Sequence, residues 1–140
     1  MYTEFAAALC WFIVGSMLFF GAIVAPVVFT TLEPDDAGRF LRTLFPRLYL
    51  FCGVVTAMPA VLLAMDQDVY PAAALAVVSI LFFVARGPLT QSINNARDAE
   101  LIGEPGAKKR FDRLHKLSTR IFGLQFLVIL GIALMWGPLN

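Results

Sequence analysis

The chain has 140 residues, of which 59% are hydrophobic and only 15% charged, for a net charge of +1, and its mean hydropathy is +0.77. A soluble domain is roughly half apolar and a quarter charged, and so small a core cannot hold the excess, so much of the surface must face lipid. A soluble enzyme, a disordered segment, a collagen-like repeat and, with two cysteines, a disulfide scaffold are excluded.

A bilayer core about 30 Å thick needs roughly 20 apolar helical residues. Four stretches free of Asp, Glu, Lys and Arg meet that need: Phe5 to Leu32, Leu48 to Met65, Val69 to Ala85 and Ile121 to Asn140. They are continuous rather than alternating, so they are not barrel strands. Helices satisfy their backbone internally, as hydrocarbon demands. The first four residues carry Glu4 and no Lys or Arg; without a basic leader region, the first span is expected to stay in the mature protein. Pro26, Thr30 and Thr31 predict that its last turns leave the hydrocarbon.

After it, Pro34-Asp35-Asp36 is a helix start, with negative charge at the positive end of the dipole. Phe40, Leu41, Leu44 and Phe45 then form one apolar side opposite Arg39 and Arg42. The pattern predicts an interfacial helix on the inner leaflet, ended by Pro46. The second span carries Cys52, Thr56, Ala60 and Ala64 four residues apart, the first Gly21 and Ala25, the third Ala72 and Ala76. Small residues let membrane helices approach closely, so these are expected contact stripes, with a homodimer face as the rival use. Asp66-Gln67-Asp68 is a tight turn that makes spans two and three antiparallel neighbours. Cys10 and Cys52 then lie on the order of 15 Å apart in depth, too far for a disulfide.

All eleven Lys and Arg fall in residues 33–47 and 86–120, on one side of a four-span map. By the positive-inside rule that side is cytoplasmic, and both termini face the other way. Tyr2, Trp11, Tyr70 and Trp136 fall toward the outer boundary, Phe45 and Tyr49 toward the inner one. From Arg86 the helical signal runs on to Gly103, breaks at Pro105-Gly106, and resumes from Ala107 into the fourth span. The predicted fold is all-α: one domain over residues 1–140, a four-helix transmembrane bundle running up-down-up-down. Its spans cover about 5–30, 47–65, 69–87 and 120–138, and helices 3 and 4 extend into a cytoplasmic hairpin over 88–120.

At 100° per residue, Phe111, Leu114, His115, Ser118, Phe122 and Gln125 share one face within about 60°, and Lys109, Arg113, Lys116 and Arg120 lie on the opposite one. Folding the hairpin levels Asn94 with His115, Gln91 with Ser118 and Arg97 with Asp112. The expected site is a polar stripe of His115, Asn94, Ser118, Gln125 and Arg86 beneath an Arg97–Asp112 ion pair. Such a stripe would hold a small molecule, ion or proton, or its groups would simply satisfy one another. Lys109, Arg113, Lys116 and Arg120, with Arg39 and Arg42, are expected to contact anionic lipid or a partner. No stacking aromatics alternate with them as a nucleic-acid surface needs.

No span holds a charge or His in its central turns, against a self-contained pump or channel. One histidine cannot make a bis-histidine haem, and His115 has no partner ligands for zinc. No glycine-rich phosphate loop is present, and Ser118 near His115 lacks an orienting carboxylate. No enzyme activity, cofactor, metal or disulfide is expected.

Phe45-Pro46-Arg47-Leu48-Tyr49, Ile93-Asn94-Asn95-Ala96-Arg97-Asp98-Ala99 and Arg110-Phe111-Asp112-Arg113-Leu114-His115-Lys116-Leu117-Ser118 resemble an uncharacterised bacterial four-helix membrane family similar to eukaryotic transmembrane protein 205. The resemblance implies four spans and brings no catalytic residues. The leading expectation is a non-enzymatic protein of the bacterial inner membrane, bound to lipid through the hairpin or acting as an accessory subunit of a larger membrane complex. The alternatives are an oligomeric transporter or small-molecule handler using His115, and a membrane oxidoreductase with haem shared between subunits.

Overall fold

The computed structural model describes residues 2–136; the last residues of the fourth expected span, 137 and 138, lie outside them. The described residues form α1 (Tyr2–Phe19), a π-helical segment (Phe20–Val24), α2 (Ala25–Thr31), α3 (Pro34–Met65), α4 (Val69–Val84), a second π-helical segment (Ala85–Leu89), α5 (Thr90–Leu101) and α6 (Ala107–Met135). The π segments join their neighbours without a break, leaving four rods, Tyr2–Thr31, Pro34–Met65, Val69–Leu101 and Ala107–Met135, each long and apolar enough to cross a membrane. Only 22% to 39% of each apolar window is buried inside the protein. The outward remainder, including Phe5, Phe12, Phe19, Val61, Val69, Ile80 and Leu127, needs lipid as its solvent.

Beyond the first turns, four prolines sit within these rods, and the chain treats them in two ways. Ahead of Pro26 the turn widens, and the Ala25 N–H bonds the Phe20 carbonyl five residues back. At Pro88 the π segment does the same, and Thr90 Oγ1 donates to the Ala85 carbonyl at 2.6 Å. Both adjustments relieve the clash of the ring with the preceding turn. Pro46 and Pro59, by contrast, are carried inside an unbroken 32-residue α3. The separate interfacial helix expected to end at Pro46 is therefore not formed. Arg42 of that segment bonds Asp98 of α5 at 2.5 Å, which joins the start of α3 to α5.

Two turns close the rods. At the end of α3, the Gln67 N–H bonds the Ala64 carbonyl and the Asp68 N–H the Leu63 carbonyl, a Schellman motif in which a glutamine takes the left-handed position at φ 65°. At the end of α5, Gly103 and Glu104 repeat the pattern on Glu100 and Ala99, here with glycine at φ 77°. The first turn also serves α1. Asp66 Oδ2 accepts from the Thr3 N–H at 2.8 Å and Thr3 Oγ1 at 2.6 Å, placing a carboxylate on that helix's free amides.

The core follows the 3.6 period on each rod: Cys10, Ile13 and Met17; Cys52, Thr56 and Leu63; Leu75, Val78 and Phe82; and Gln125, Ile129 and Ile132. Both cysteines are free and buried. Of the expected small-residue stripes, Cys52, Thr56, Ala60 and Ala72 are buried, whereas Gly21, Ala64 and Ala76 are exposed. A close approach also falls at Gly53, where an added Cβ would meet the Phe83 ring at 3.2 Å and Phe82 Cβ at 3.3 Å. Ser79 Oγ of α4 donates to the Gly53 carbonyl at 2.8 Å in the same place.

Candidate functional site

Where the apolar windows meet the charged ends, five rings from four rods converge. Phe20 comes from the first π segment, Phe45 and Tyr49 from α3, Phe82 from α4 and Phe122 from α6, with centroids 5.5 to 6.4 Å apart. Tyr49, expected to face the interface, is 5% exposed. Its hydroxyl meets Ser118 Oγ at 3.2 Å, so each satisfies the other where water is scarce.

Below that layer, Gln125 is buried and its Nε2 donates to the Val78 carbonyl at 3.3 Å. Its Oε1, with Thr56 Oγ1 and Trp11 Nε1, is buried without a hydrogen-bond partner among the described residues.

Above it the expected stripe is not assembled. His115 is exposed and stacks on Phe111 of its own helix at 5.8 Å. Ser118 turns to Tyr49 and Gln125 to Val78. Asn94 is half-buried and Arg86 exposed, and among the described residues neither joins these groups by a hydrogen bond or ion pair. The cause is the number of neighbours. α6 packs on α1 and α4 lower down, but α2 does not reach it, so near His115 it is covered chiefly by α5. On this stretch Ala107 is buried and Leu114 and Ser118 half-buried, whereas His115, about 60° round from Ser118, is open.

The Arg97–Asp112 ion pair is also corrected. Arg97 bonds Glu100 at 2.7 Å, one turn along α5, and lies 5.5 Å from the Phe111 ring centre, a cation–π geometry. Lys108 stands 3.9 Å from Glu100 and 4.0 Å from Asp112, and Arg110 3.2 Å from Glu104. Arg39 pairs with Asp36 and Arg42 with Asp98, so neither is a bare cation. Lys109, Arg113, Lys116 and Arg120 are exposed on α6 and, among the described residues, have no carboxylate partner. The acids thus neutralise the hairpin tip and the start of α3, while a row of positive charge stays open along α6.

Sequence reasoning missed Tyr49–Ser118 and Asp66–Thr3, which join residues 69 and 63 positions apart. The second had a signal, since Asp66 falls on the same side of the span map as the first helix's N-terminus. Two apolar recesses were also missed. One, of about 510 Å³, lies between α1 and α3 along Trp11, Gly15, Phe19, Val24, Leu44 and Leu48. The other, of about 350 Å³, lies between α4 and α6 with Gln125 in its wall.

Four rods, each long and apolar enough to cross a membrane, with most of their apolar surface turned outward, define an integral membrane protein. The chain belongs to the family described as Domain of unknown function (DUF4149), which matches residues 8–99. That stretch includes Phe45 to Tyr49 and Ile93 to Ala99 and stops before Arg110 to Ser118; the likeness to transmembrane protein 205 is not shown. No curated protein and no solved structure matches.

Proposed function

We propose that this is a non-enzymatic protein of the bacterial inner membrane whose basic end binds anionic lipid headgroups. Its rods run up-down-up-down, with the Tyr2 end of α1 and the Met135 end of α6 on the extracytoplasmic side and α5–α6 standing in the cytoplasm as a hairpin. The observation that carries the reading is the row Lys109, Arg113, Lys116 and Arg120, exposed and unpaired among the described residues, while the nearby acids are taken up by other bases. A juxtamembrane cluster of this kind attracts an anionic leaflet with about 1 kcal/mol per cation. Supporting the topology are the contacts of Thr3 with Asp66, Arg42 with Asp98 and Tyr49 with Ser118, which an alternating arrangement brings level. A partner subunit of a larger complex, or a second copy, would use the same face.

Native mass spectrometry in mild detergent tests this. The wild type should retain phosphatidylglycerol or cardiolipin, and changing the four cations to Gln should strip it. Equal retention of phosphatidylcholine, or anionic lipid unaffected by the four changes, would overturn the lipid reading. A stoichiometric co-purifying protein would move the assignment to an accessory subunit. Labelling of Lys109→Cys by an impermeant maleimide should require access to the cytoplasmic face.

A further inference from the structure

The recess between α1 and α3 points to one occupant. It follows α1 and the π segment after it from Trp11 to Val24, about 20 Å at 1.5 Å per residue, enough to span one leaflet's share, about 15 Å, of a hydrocarbon core about 30 Å thick. Its walls are almost wholly apolar, and at Gly15 nothing lies within 4 Å of where a Cβ would stand. At its α3 end the wall is Leu44 and Leu48. Between them in sequence, beside the wall rather than in it, Arg47 is exposed; its Nη1 donates to the Thr43 carbonyl at 2.9 Å, and among the described residues no carboxylate pairs with it. Arg47 is also the last charge before the apolar run from Leu48 to Met65, the depth at which a phosphate would sit.

We propose that this recess is a phospholipid site: one acyl chain of an anionic lipid lies along Gly15 and Phe19, and its phosphate is held by Arg47. The site rests on the reading that this end faces the anionic leaflet, and adds a fixed position to it.

The test uses the full chain in a Trp136→Phe background, which leaves Trp11 as the sole tryptophan. It is reconstituted in phosphatidylcholine vesicles containing acyl-brominated phosphatidylglycerol or, in a second arm, acyl-brominated phosphatidylcholine. Indole quenching should favour the phosphatidylglycerol arm about fivefold in apparent affinity, as one cation near an anionic headgroup implies. Arg47→Gln should abolish that preference. Gly15→Leu, which the open space accommodates and helix propensity favours, should weaken quenching in both arms. Gly131→Leu on α6, equally open, should leave it unchanged.

Equal quenching by both headgroups, or an unaltered response in Gly15→Leu, overturns the site. If the preference survives Arg47→Gln and Gly15→Leu but disappears when Lys109, Arg113, Lys116 and Arg120 are neutralised, the recess is not the site and the broader lipid reading stands. If no variant prefers phosphatidylglycerol, both fall. A dimer in native mass spectrometry that Gly15→Leu dissociates assigns the recess to a second copy instead.

Discussion

From Ile121 to Met135, α6 carries one polar side chain, Gln125, which is buried and bonded to the Val78 carbonyl. From Ala107 to Arg120 the same helix is crowded with charge, and none of its charged residues is buried. In the first half a polar group can find a partner only within the protein, because hydrocarbon supplies none; Gln125 Nε2 has one and its Oε1 has none among the described residues. In the second half water is always available as an alternative. The cost of a substitution should therefore depend on depth more than on the number of contacts drawn for a residue.

The sharpest test is Phe82→Ala. Phe82 is fully buried and its ring touches those of Tyr49 and Phe122. The cavity should cost about 3–5 kcal/mol, read as a large fall in thermal midpoint in mild detergent. Gly53→Val comes next. Its added carbons press on Phe83 and Phe82, and overpacking there should cost about 1–3 kcal/mol. The exposed Phe83 ring has some freedom to give way, which keeps this below the cavity. Asp66→Ala removes the cap on Thr3 and should cost about 1 kcal/mol. A zero effect would mean that the first turn of α1 adds nothing to stability.

How much of this was readable beforehand also follows depth. The spans were legible because hydrocarbon forbids charge, and that constraint is written residue by residue. The break at Gly103 was legible because the backbone there needs φ 77°, which glycine adopts at no steric cost. Gln67 holds nearly the same conformation at φ 65°, and nothing in its side chain announced it. One helix end was not legible: Pro46 reads as a terminator, yet α3 carries it in its interior. His115 was misplaced because periodicity specifies which residues share a face, whereas burial depends on how many helices cover that face. The Tyr49–Ser118 junction needed the third dimension outright.

The smallest expected effect decides whether the comparison holds. Arg42 and Asp98 join two rods at 2.5 Å, with 36% and 57% of their side-chain surface exposed. An exposed pair contributes about 0–1 kcal/mol, because solvent screens the attraction and holding two side chains costs entropy. Asp98→Asn should therefore shift the midpoint only slightly, and a double-mutant cycle with Arg42→Gln should give a coupling energy under about 1 kcal/mol that shrinks as salt is added. A coupling of several kcal/mol, insensitive to salt, would mean that the pair is shielded from water. The start of α3 and the middle of α5 would then belong with the buried half of the molecule, and the division drawn along α6 would not extend to its neighbours.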